Sequence, residues 1–179
     1  MSRMKSASVM LKKTTLCVYT FSMSIFVHTM RAPKAKTKDV RRVAILYAII
    51  LVVMAVAQLF SFDEFSQLFN SFGLPGGMQY AYFLAAFVVT AEVFALPFLL
   101  RMPLSPAFRW VSMVCGWLVA AIWLEVTVWL AFHEGISNNV GFLGTVTDIL
   151  PGVWAVFITI ALGILAAWAS WGMWPRKKS

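Results

Sequence analysis

The chain has 179 residues, of which 61% are hydrophobic and only 12% charged, with a mean hydropathy of +0.81. Soluble domains carry about twice that charged fraction, so the composition implies a single membrane domain. The net charge of +8 is not read as a nucleic-acid signal, because the basic residues flank apolar segments, where lipid headgroups and membrane topology account for them. The two cysteines, Cys17 and Cys115, form no C-x-x-C pair. Thiol–disulfide chemistry needs an attacking and a resolving thiol close together, so these read as small buried hydrophobes.

In chain order, residues 1–42 are polar and basic around a semi-apolar stretch at 14–30, TTLCVYTFSMSIFVHTM. Ser, Thr and His interrupt that stretch, and no small-residue cleavage site follows it. It reads as a peripheral segment, or as sequence preceding a true start at Met30. The first clear span is 43–60, with Gln58 near its far end. Residues 61–78 follow, where Phe62, Phe65, Leu68, Phe69 and Phe72 recur at helical spacing, predicting a short amphipathic helix lying on the membrane. Gly73, Pro75, Gly76 and Gly77 then turn the chain back. The remaining spans are 79–101, with Pro97 as a kink, then 110–132 and 151–174. A polar loop at 133–150 precedes the last of them, and a basic tail closes the chain at 175–179.

The charges orient this bundle. Ten Lys or Arg precede the first span, two lie between the second and third, and three follow the fourth, so all fifteen share one side. The other two loops hold only Asp63, Glu64, Glu134 and Asp148. The positive-inside rule then places both termini in the cytoplasm of a bacterial-type inner membrane. Trp110, Trp129, Trp154, Trp171 and Trp174 fall near span ends, as an aromatic belt should.

Glu92 and Glu125 are the carboxylates inside spans. Such groups are costly in hydrocarbon and mark either function or helix-to-helix hydrogen bonding. No Lys or Arg lies within a span to pair with them, so each is read as facing the bundle interior or reaching water. Their depths differ, which argues against a shared-proton dyad. A relay through water, or through Thr90 and Thr127, is the alternative. Glu92, Glu125, Gln58 and Thr90 are thus candidates for a proton path or a quinone-headgroup contact, and the structural alternative is acids that tie helices together. Trp117 and Trp123 suit packing between helices better than cofactor stacking. His133, Glu134 and Asp148 make a poor metal set, and no metal is expected. No phosphate-binding loop, dinucleotide fingerprint or Ser-His-Asp set occurs.

The run FDEFSQLFNSFGLPGG followed by a span with a central Glu, VVTAEVFALPFLL, resembles the DoxX/DoxD–MauE family of small four-helix membrane proteins. The resemblance rests on Phe62, Asp63, Glu64 and Phe65, on Gly73, Leu74 and Pro75, and on Glu92, and covers about residues 43–132. Gln58 stands near where many members carry Gly and a basic residue, and Pro97 near a usually glycine-rich part. The resemblance implies a redox association. Members include a subunit of a thiosulfate:quinone oxidoreductase, a methylamine dehydrogenase maturation factor and parts of oxidative-stress complexes. Vitamin K epoxide reductase activity is excluded, since its paired cysteines are missing.

The expected fold is an all-α four-transmembrane-helix bundle with a short extracytoplasmic amphipathic helix. The expected role is an accessory subunit of a quinone- or thiol-linked membrane redox system, not an independent enzyme. A non-catalytic assembly subunit and a small proton-coupled transporter are the alternatives. Expected partners are the lipid bilayer and either other membrane subunits or further copies of the chain, and no nucleic acid.

Overall fold

The computed structural model describes residues 35–133 and 137–173. The segment at 14–30, Glu134 and the basic tail lie outside them. Five helices follow in order: α1 (Lys38–Phe60), α2 (Phe62–Ser71), α3 (Gly77–Leu99), α4 (Pro106–Phe132) and α5 (Val153–Met173). All but α2 are long and apolar enough to cross a membrane. The protein is an all-α membrane bundle of four helices. Its helices pack in the ring α1–α3–α4–α5, which closes through contact between α5 and α1.

One repeat organises all four. Buried positions recur in steps of four and three: 40, 44, 47, 51, 54 and 58 on α1, and 81, 85, 88, 92, 95 and 99 on α3. They continue at 112, 116, 119, 123, 126 and 130 on α4, and at 155, 159, 162, 166, 169 and 173 on α5. That seven-residue spacing keeps one stripe of each helix toward its neighbours, the geometry of a left-handed bundle. Lipid tails are as apolar as leucine, so close packing and interhelical hydrogen bonds must hold these stripes together. Many stripe residues are small. Gly172, beside stripe position 173, shows what small residues allow: a Cβ there would lie 2.3–2.9 Å from Val40 side-chain atoms, so glycine lets α5 meet α1.

The helix ends depart from the expected spans for local reasons. The first helix starts at Lys38, inside the basic segment, because Thr37 Oγ1 accepts from the Val40 amide as an N-cap and Asp39 occupies the first turn. Likewise α4 begins at Pro106 rather than 110. Ser105 caps it by accepting from the Phe108 amide, and proline suits the first helical position. The third helix runs from 77 to 99, and the last begins at 153. Lys36 closes the end of α5, donating from Nζ to the Trp171 carbonyl at 2.6 Å and lying over the Trp171 ring.

Pro97 is inside α3 as expected, and a neighbour accommodates it. Ser112 Oγ on α4 accepts from the Phe98 amide at 3.0 Å and donates to the Phe94 carbonyl at 2.6 Å. A hydroxyl from another helix thereby bridges the turn that proline disturbs.

The apolar face of α2, expected against the membrane, packs against protein. Phe65, Phe69 and Phe72 are fully buried, and α2 packs along α3. Phe65 and Phe69 meet Trp123 of α4 at centroid distances of 6.5 and 5.9 Å. Trp129 Nε1 donates to the Phe72 carbonyl at 3.0 Å, pinning the end of α2. The aromatic face finds a protein pocket at the bundle's mouth, where rings pack edge to face, instead of lipid.

Candidate functional site

The loop that follows α4 is built on one side chain. Asn139 Oδ1 accepts from the amides of Gly141 and Ile149, while Nδ2 donates to the Gly144 carbonyl and to Asp148 Oδ1. Such side-chain-to-backbone bonding substitutes for a regular ladder. Gly144, at φ 62°, lets the loop press on α1, since a Cβ there would lie 2.5 Å from Ser61 Oγ. Ser61 Oγ accepts from the Thr145 amide, and Thr145 Oγ1 donates to Glu64 of α2 at 2.6 Å. The loop thus delivers Phe142 over the end of the bundle, its ring 4.8 Å from that of Trp123.

Beneath it lies the polar centre. Gln58 and Glu92 occupy inward stripe positions of α1 and α3, and both are fully buried. Glu92 Oε1 accepts from Gln58 Nε2 and from Trp123 Nε1, each at 3.2 Å. Gln58 Nε2 also donates to the Phe142 carbonyl at 2.9 Å. Four separate pieces of chain therefore converge on one carboxyl–carboxamide pair. Glu92 Oε2 and Gln58 Oε1 have no hydrogen-bond partner among the described residues. Buried polar atoms are nearly always bonded, so two orphaned oxygens in one cluster mark a site equipped for a further partner.

The other candidates lie elsewhere. Thr90 faces outward and its hydroxyl donates to the Ala86 carbonyl of its own helix. Glu125 is exposed on the outer surface of α4. Thr127 is buried, but its hydroxyl meets Thr159 of α5 at 3.2 Å. The relay from Glu92 through Thr90 and Thr127 to Glu125 is therefore not formed. The reason is angular: neither 90 nor 125 falls on the inward stripe of its helix. His133 stacks on Trp129 at the end of its own helix, ring centroids 4.1 Å apart, and Trp117 donates to Ser170, a bond that ties α4 to α5.

Sequence reasoning missed Phe142, Asn139 and the donor role of Trp123. The seven-residue register carried the last signal, since Trp123 shares an inward stripe as Gln58 and Glu92 do. The Asn–Val–Gly run at 139–141 carried the turn signal.

Fold and site together define a multi-pass membrane protein with a buried carboxyl–carboxamide centre under an aromatic cap. Set against family models, curated proteins and solved structures, the chain matches none.

Proposed function

We propose that this chain is an accessory subunit of a membrane redox system in a bacterial-type inner membrane, with both termini cytoplasmic, and that Glu92 and Gln58 contact a quinone headgroup. One observation carries the reading: a fully buried carboxyl group has one oxygen without a hydrogen-bond partner among the described residues, beside an amide oxygen in the same state. The chemistry of the pair fits the headgroup. A carboxyl oxygen donates when protonated and accepts when ionised, so Glu92 Oε2 suits a carbonyl or a hydroxyl. Trp123, Phe65 and Phe142 pack as an aromatic cluster beside the pair, an apolar surrounding that suits a planar ring. The resemblance at residues 62–65, 73–75 and 92 supports the redox association. The electron chemistry belongs to the quinone and to partner subunits, and this chain binds and orients.

The experiment compares binding of a short-chain benzoquinone and its hydroquinone to the detergent-purified chain and to Glu92→Gln. The amide keeps an oxygen for Gln58 and Trp123, so the fold persists, but its nitrogen only donates. The wild type should bind both forms, and the variant should hold the quinone while weakening the hydroquinone by about tenfold. No binding of either form to the wild type, or identical binding by the variant, would sink the reading.

A further inference from the structure

Glu125 poses a problem that the bundle does not solve. It stands on the outer face of α4, within a span, and no hydrogen bond or ion pair reaches it from the described residues. The described Lys and Arg, at 36, 38, 41, 42, 101 and 109, all cluster at the opposite end of the bundle. A carboxyl group on the outer face of a membrane span needs a partner, and the described residues bring no cation to that depth.

Beside it runs an apolar groove of about 380 Å³ between α4 and α5, lined among others by Trp117, Ala121, Leu124, Ile160, Gly163 and Ala167. Glu125 follows Leu124 directly and lies one turn beyond Ala121, so it stands at the rim. Gly163 sharpens the point. A Cβ at Gly116 or Gly172 would meet other helices, whereas one at Gly163 meets nothing within 4 Å. Packing among the described residues gives no reason for a glycine there, although glycine weakens a helix interior relative to alanine. Bare backbone beside a groove is what a closely approaching helix uses.

We infer that the α4–α5 groove receives a transmembrane helix of a partner subunit, and that a Lys or Arg on that helix pairs with Glu125. Charge complementarity selects this occupant. A second copy docked symmetrically would set acid against acid, with its own described cations at the far end of the bundle. The inference stands apart from the quinone reading, since it uses neither Glu92 nor Gln58.

The full chain in phosphatidylcholine vesicles tests it, with energy transfer to a dye-labelled single-span Leu/Ala peptide. One peptide carries a lysine at the depth of Glu125, and its twin carries leucine there. The lysine peptide should bind about tenfold tighter. Glu125→Gln should abolish that preference, and Gly163→Leu, filling open space, should weaken both peptides while the fold persists. Equal binding of the two peptides to the wild type would overturn the proposal, as would binding indifferent to Gly163→Leu. Self-association of the chain that is lost in Gly163→Leu would overturn it too, assigning the groove to a second copy.

Discussion

Gln58 Nε2 lies 3.2 Å from Glu92 Oε1, joining the end of α1 to the middle of α3, and the same nitrogen holds the Phe142 carbonyl at 2.9 Å. One amide therefore couples the buried acid to the loop that covers it. Replacing Gln58 by Leu removes both bonds and leaves a buried carbonyl and carboxyl oxygen short of a donor. The expected loss is about 1–3 kcal/mol of stability. Thermal unfolding in detergent measures the loss, and amide exchange at residues 140–145 should quicken in the same variant. Unchanged exchange there would mean that Gln58 does not hold the loop.

Ser112 and Pro97 make a second coupled pair. The serine hydroxyl serves Phe98 N and Phe94 O, flanking the proline on α3. Ser112→Ala should cost about 1 kcal/mol with Pro97 present. In a Pro97→Ala background the turn can close its own ladder, so the same change should cost less. A double-mutant cycle gives the coupling directly, and strict additivity would refute the bridge.

At the other end, Gly172→Ala would drive a methyl group into Val40. Overpacking of this kind costs about 1–3 kcal/mol, and Val40→Ala should restore most of it by returning the space. Failure of that rescue, read by the unfolding midpoint, would place the strain elsewhere.

Asn139→Ala removes four hydrogen bonds from the loop at once. Local order should fall by about 2–3 kcal/mol while the four spans stay folded. Limited proteolysis should then cut within 137–150 in the variant and spare the wild type. Equal resistance would show that the loop is held by its contacts with α1 and α2 alone.

Much of this architecture was legible in the chain itself. Apolar runs long enough to cross a bilayer announce four spans, whichever way they pack. The phenylalanines of α2 announced a helix with one apolar face, because that periodicity is local. What covered the face was not legible, since lipid and a protein pocket both accept phenylalanine; only the position of Trp123 decided for the pocket.

The two acids mark the same boundary. Composition and hydropathy single out Glu92 and Glu125 alike, as carboxyl groups in apolar surroundings. The sequence by itself determined the two acids and the spans that carry them. The four-three repeat of buried positions, visible only once the helices are packed, puts 92 on an inward stripe and 125 outside it. Only the tertiary structure decided that Gln58 and Trp123 meet at Glu92 and that the Phe142 carbonyl closes on Gln58. Those groups come from segments far apart along the chain, and their meeting depends on helix order and loop path, which no local pattern encodes.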